Sequence, residues 1–131
     1  MHLIIDGYGD NPKILQDEQF LYQLLDSYPA QIGMTKIFSP VVFRYIGSRP
    51  EDWGISGFVF IAESHISIHT FAERRYINID VFSCKDFNAE QVTKDLKDKF
   101  QLTKLSSRLI NRDWKMADLA EATDIHRLHS V

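Results

Sequence analysis

A single cysteine, Cys84, stands in this chain of 131 residues. With no second thiol there is no internal disulfide framework, and a reducing, cytoplasmic setting is expected. Long hydrophobic runs are missing too. The longest, around Phe58 to Ala62, falls far short of the roughly 18 residues of a membrane helix, so no membrane partner is expected. The opening MHLIIDGYGD has no basic n-region and breaks its apolar run at Asp6, so it does not read as a secretory signal. Only six glycines and four prolines are present, which excludes collagen-like and low-complexity chains. Excess positive charge is also absent. The formal net charge is −3, with Lys and Arg scattered singly, so nothing matches a phosphate backbone and no nucleic-acid partner is expected. No G-x-G-x-x-G or Walker loop offers a nucleotide-phosphate site. What is there, 44% hydrophobic and 25% charged residues, fits one globular domain spanning 1–131, within the usual size of about 100–150 residues.

Periodicity supplies the elements. His2 to Tyr8 reads as a strand, with apolar Leu3, Ile4 and Ile5 and closing glycines at 7 and 9. From Asp17 to Tyr28, the set Phe20, Leu21, Leu24, Leu25 and Tyr28 recurs at helical spacing as one buried stripe, and Pro29 is expected to stop that helix. Lys36 to Ile46 is expected as a second strand, its Pro40 marking a bulge or an edge. GSRPEDWG, residues 47–54, is loop by composition. Ile55 to Ala62 is a third strand, and SHISIHT follows with period-two alternation: Ile66 and Ile68 one way, His65, Ser67 and His69 the other. Tyr76 to Cys84 alternates again, Ile77, Ile79 and Val81 against Asn78, Asp80 and Phe82. Asn88 is a plausible N-cap for a helix whose Val92, Leu96 and Phe100 fall four apart. Leu102 to Ile110 is a last strand; residues 111–131, with Trp114, Leu119 and Leu128, read as a docked short helix or a frayed tail. Two helices and about six strands with short connections predict an α+β fold. It is a two-layer α/β sandwich, a mainly antiparallel sheet with both helices on one face.

Several chemistries fail on spacing. His65 and His69 sit about 13 Å apart on a strand, too far to share an ion with ligand bonds near 2 Å, so no metal is expected. His126 and His129 have no other ligand type beside them. Ser64, His69 and Asp80 are the residue types of a hydrolase triad, but GISGF is not a nucleophile elbow. No lysine is marked by context as a pyridoxal phosphate anchor. Cys84 alone, at a strand end, reads as a small buried hydrophobe.

One block stands apart: IAESHISIHTFAERRYINIDVFSC, residues 61–84. It resembles the prokaryotic pyruvoyl-dependent S-adenosylmethionine decarboxylases. ESHISIHT, 63–70, is identical to that family's self-cleavage motif, and DVFSC, 80–84, is similar to its second motif. HLIIDGY at 2–8 and GISG at 54–57 extend the likeness over residues 2 to about 110. The resemblance implies a proenzyme cut between Glu63 and Ser64 into chains 1–63 and 64–131. In such enzymes the Ser64 hydroxyl attacks the Glu63 carbonyl to give an ester. β-Elimination then leaves a dehydroalanine that hydrolyses to a pyruvoyl group, the cofactor, which takes the substrate's α-amine as a Schiff base and acts as electron sink. Backbone strain in the tight turn at 63–64 would assist. By the same resemblance His69 removes the α-proton during processing, Ser56 helps stabilise the oxyanion, and Cys84 is the proton donor in decarboxylation. A thiol suits that last role, being mostly protonated at neutral pH. A small-molecule substrate, a role in polyamine (spermidine) biosynthesis and a homodimer are likewise implied.

The chain departs from the family where T-W-P-E-Y-G-Y becomes Thr70-Phe71-Ala72-Glu73-Arg74-Arg75-Tyr76. Glu73, kept, is the acid associated with the substrate's ribose, and Phe71 keeps an aromatic as a second substrate-binding candidate. Arg74 and Arg75 are expected to be a solvated loop; pointing inward, they would disfavour a sulfonium cation. The adenine platform falls to Phe71, Tyr45 or Trp53. Relatives that decarboxylate arginine or ornithine share the processing motif, so substrate is less constrained than reaction type. An unprocessed, non-catalytic partner subunit is the remaining alternative, and intact Ser64, His69 and Cys84 count against it.

Overall fold

The computed structural model describes residues 1–112; Trp114, Leu119, His126, Leu128 and His129 therefore lie outside the described residues. Its elements run β1 (His2–Gly9), α1 (Glu18–Gln31), β2 (Val41–Tyr45), β3 (Gly54–Ile61), β4 (Ser64–Phe71), β5 (Tyr76–Ser83), α2 (Ala89–Lys99) and β6 (Leu102–Ile110). The strands form one sheet in the order β2-β3-β4-β5-β1-β6, antiparallel throughout. The expected α+β sandwich is the architecture found.

Alternation decides the layers. Ile55, Val59, Ile61, Ile66, Ile68, Ile77, Ile79 and Val81 are buried beneath the helices, each placed on one face by the two-residue period. α1 contributes Leu21, Leu24, Leu25 and Tyr28, and α2 contributes Val92 and Leu96. Phe20 joins them by an edge-on contact with Phe100, 5.5 Å between ring centres. The Tyr28 hydroxyl donates to Asp95 Oδ2 over 2.8 Å and ties the helices together. Burial, reinforced by that carboxylate, pushes the phenol's pKa far up. The Asn88 cap is present, its Oδ1 accepting from Gln91 N–H at 3.1 Å.

Two expectations are corrected. Pro29 lies inside α1, because in the last turn its missing N–H costs only one helical bond. The helix is ended instead by Gly33 at φ +76°, with Met34 N–H on the Pro29 carbonyl and Gly33 N–H on that of Ala30, a Schellman closure. The second strand does not start at Lys36. Pro40 cannot donate to a ladder, and β2 begins just after it. Lys36 instead makes an isolated bridge to Ile61.

The sheet's other face carries His65, Ser67, Asn78, Asp80 and Phe82, all half-buried, and no described element covers it. Phe43 is 70% and Phe60 54% exposed. A face this apolar asks for a covering surface.

Candidate functional site

Ser64 opens β4 at a two-residue turn after Ile61. Three hydrogen bonds fix that turn. The Ala62 N–H donates to the Thr35 carbonyl at 2.8 Å, the Thr35 N–H donates to the Glu63 carboxylate at 3.1 Å, and the Cys84 N–H donates to the Glu63 carbonyl at 2.9 Å. That last carbonyl is the one Ser64 would attack. The bond arises because Ser64 pairs with Ser83 across β4 and β5, which brings the next residue, Cys84, alongside Glu63. Cys84 is exposed, not buried. Ser64 has φ +157°, a positive value that residues with a side chain rarely adopt, and it falls at the turn where strain is expected.

Ser56 and His69 face each other across β3 and β4, with Ser56 Oγ and His69 Nδ1 hydrogen bonded at 2.8 Å. Their end of the sheet is anchored from below. The Thr70 hydroxyl donates to the Leu15 carbonyl at 2.7 Å and accepts the Ile55 N–H at 3.0 Å. Gly54 is required there, since a Cβ would come within 1.6 Å of the Thr70 carbonyl oxygen. Ser64 and His69, however, are five residues apart on one extended strand, about 16 Å at 3.3 Å per residue. The chain thus presents two half-sites: Glu63, Ser64 and Cys84 at one end of β4, Ser56 and His69 at the other.

At the same end of β3 and β4, bordered by neither Ser56 nor His69, lies a hollow of about 500 Å³ lined by Tyr45, Trp53, Gly54, Glu73 and Arg75 among others. It joins a carboxylate to two aromatic side chains, the chemistry expected for a ribose and an adenine. Phe71 does not line it; its ring stacks on Tyr76 at 6.1 Å. The adjacent arginines are not simply solvated. Arg74 Nε donates to the Glu51 carbonyl at 2.8 Å and its Nη2 to Asp52 at 3.0 Å, while Arg75 lies 3.8 Å from Asp10. A wider groove of about 1020 Å³ runs between α2 and β6, beside Lys94, Lys97 and Leu109; none of the expected site residues borders it.

On the uncovered face the His65 ring stacks between Phe58, at 5.1 Å, and Phe82, at 5.5 Å. Desolvation lowers its pKa, nearby His2 lowers it further, and Asp80 opposes them. His2 Nε2 is itself bonded to Asp80 at 2.8 Å. Asn78 donates to Asp6 and to the Tyr76 hydroxyl. Thr35 and Arg74 emerge as site-supporting residues that no local pattern could have marked, because their partners lie 28 and 22–23 residues away.

The S-adenosylmethionine decarboxylase family model matches residues 1–113. An S-adenosylmethionine decarboxylase proenzyme of Clostridium botulinum (strain Langeland) is 33% identical over 112 residues, 85% of this chain and 91% of that one. One from Thermoplasma acidophilum is 33% identical over 113 residues, 86% and 82% of the two chains. The crystal structure of the adenosylmethionine decarboxylase from Aquifex aeolicus VF5 superposes with a TM-score of 0.67 at 22% identity, over 88% of this chain and 95% of that one, and shares the fold.

Proposed function

The chain belongs to the S-adenosylmethionine decarboxylase family, and we propose that it is a proenzyme that cuts itself between Glu63 and Ser64 and then decarboxylates S-adenosylmethionine, supplying the aminopropyl donor for spermidine synthesis. The observation that carries this reading is the Glu63 carbonyl, held by the Cys84 N–H at 2.9 Å directly before Ser64. Attack by Ser64 Oγ turns that carbonyl oxygen into an oxyanion, and an N–H already aimed at it is the donor such an intermediate needs. The peptide nitrogen leaves as the Ser64 amine and an ester forms. Loss of the Ser64 α-proton then expels the Glu63 carboxylate.

His69 is the base for that proton. In the tautomer whose Nδ1–H donates to Ser56 Oγ across the 2.8 Å contact, Nε2 keeps its lone pair free. Proton transfer needs heavy atoms about 3 Å apart, and about 16 Å of strand separates His69 from Ser64 of its own chain. The base is therefore supplied by a second copy. Its exposed aromatic sheet face, with Phe43 and Phe60, meets the same face of this chain in a homodimer, and each Ser64 is completed by the partner's Ser56–His69 pair.

The pyruvoyl group derived from Ser64 supplies the electron sink for loss of carbon dioxide. This chain's residues do the rest. The exposed Cys84 thiol, next to the residue paired with Ser64, delivers a proton to the carbon that lost its carboxylate. Glu73 accepts the ribose hydroxyls, and Tyr45 and Trp53 flank the adenine in the hollow they border. Arg74 is engaged with Glu51 and Asp52, and Arg75, though it borders the hollow, lies 3.8 Å from Asp10; the choice of S-adenosylmethionine over arginine or ornithine rests on the aromatic pair. No described helix is long and apolar enough to cross a membrane.

Mass spectrometry of purified protein tests this. It should find a 63-residue fragment ending at Glu63 and a 68-residue fragment, residues 64–131, blocked by pyruvoyl and releasing carbon dioxide from S-adenosylmethionine. An intact 131-residue chain after prolonged incubation, or turnover of arginine or ornithine with S-adenosylmethionine inert, overturns it.

A further inference from the structure

The loop 47–53 that carries Trp53 has no buried residue in its short 3-10 turn, Pro50–Asp52, so apolar packing does not hold that turn. Polar bonds do. Arg49 Nε donates to Glu51 Oε1 at 2.8 Å, the Asp52 N–H to the Arg49 carbonyl at 2.9 Å, and the Trp53 indole N–H to the Gly47 carbonyl at 2.8 Å. These are internal to the loop and fold it on itself. Among the described residues Arg74 alone of its side-chain hydrogen-bond partners comes from outside, through the Glu51 carbonyl at 2.8 Å and Asp52 at 3.0 Å.

We propose that Arg74 is a positioning residue for substrate: it clamps loop 47–53 so that Trp53 stands as a fixed wall of the hollow opposite Glu73. The inference rests on the reading that the hollow receives the substrate's adenosine part. Consecutive residues of one turn divide the work. Glu73 borders the hollow, while Arg74 leaves it and grips the loop that supplies the aromatic wall. The carboxylate and the aromatic are thereby held at a set separation before substrate arrives, and binding does not have to order them. A guanidinium suits this task because its planar fork engages a carbonyl and a carboxylate together; an ammonium is a single point charge. The position is also where the family's usual tyrosine is replaced, so the clamp is a feature of this chain's own sequence.

Processed Arg74→Ala, Arg74→Lys, Asp52→Asn and Trp53→Ala proteins test it, with S-adenosylmethionine as substrate. Arg74→Ala is expected to raise KM about tenfold with kcat within twofold and cleavage at Glu63–Ser64 unchanged. Asp52→Asn should raise KM in the same direction, Arg74→Lys should recover part of the loss, and Arg74→Ala combined with Asp52→Asn should be no worse than Arg74→Ala. In a Trp114→Phe background Trp53 is the sole tryptophan, and its emission should shift to the red and quench more readily with acrylamide in Arg74→Ala. Should Arg74→Ala fail to fold, Asp52→Asn carries the same KM and fluorescence readouts. A raised KM in Trp53→Ala with unchanged KM and fluorescence in Arg74→Ala and Asp52→Asn overturns the clamp. Unchanged KM in Trp53→Ala overturns the reading of the hollow itself, and a fall in kcat without a rise in KM overturns the positioning role.

Discussion

The Cys84 backbone N–H donates to the Glu63 carbonyl over 2.9 Å, while the Cys84 side chain stays exposed. Backbone and thiol of one residue thus face the two successive reactions of the proposed cycle. The first needs a donor on an oxyanion, the second a proton for carbon, and a substitution separates them.

Cys84→Ala keeps the N–H and removes the thiol. Self-cleavage should run within a few-fold of the parent rate, and decarboxylation should fall by about 10²–10⁴, the usual worth of a positioned acid. Fragment formation on a gel and carbon dioxide release measure the two separately. Equal loss of both would contradict the division of roles.

Ser56→Ala and His69→Ala should both slow cleavage without unfolding the protein, since Ser56 is only half-buried and His69 exposed. Loss of the base should cost about 10²–10⁴ in rate. Loss of Ser56, bonded to the imidazole over 2.8 Å, should cost less. Time courses of fragment release rank them; a Ser56→Ala protein slower than His69→Ala would reverse the assignment.

Gly54→Ala should be destabilising, because its Cβ would lie 1.6 Å from the backbone oxygen of Thr70 and backbone cannot swing aside as a side chain does. The loss expected is at or above the upper end of about 1–3 kcal/mol for overpacking, and cleavage should slow as β3 and β4 part near Ser56 and His69. Denaturant midpoints check the first effect and fragment release the second.

Much of this was legible along the chain, for identifiable reasons. The alternation of Ile66 and Ile68, then of Ile77, Ile79 and Val81, is local and fixes which face each strand buries. Asn88 announces its helix through a bond only three residues long. Pro29 misled because a proline's cost depends on how much helix follows it, and here only Ala30 and Gln31 do. The pairing of β1 between β5 and β6 and the reach of Arg74 to Asp52 are contacts across the chain that no period encodes. The same is true of Thr35 on Glu63. The division of the site into two halves follows from strand rise alone, once Ser64 and His69 are known to share one unbroken strand.

His65 gives a pH dependence. Its folded pKa is lowered, chiefly by desolvation between Phe58 and Phe82 and further by His2, with Asp80 opposing. Above its ordinary value near 6.5 the ring is neutral in both states. Below it the unfolded chain takes up a proton that the folded ring resists, so stability falls as pH drops from about 6.5 toward the folded value. His65→Phe keeps the stacking and removes the titration. Its Tm should fall less between pH 7 and pH 5 than the parent's, and parallel curves would rule His65 out as the source.

The central claim is that each Ser64 is processed by the His69 of a second copy. Ser64→Ala cannot be cut at all, and His69→Ala lacks the base, so the first alone should yield no fragments and the second alone should yield them about 10²–10⁴ more slowly than the parent. The deciding measurement is mass spectrometry of the two variants co-expressed with different tags. The account predicts that the His69→Ala chain is cleaved between Glu63 and Ser64 in the mixed dimer, while the Ser64→Ala chain stays whole. Both chains remaining intact in a mixed dimer demonstrated by its two tags would contradict it.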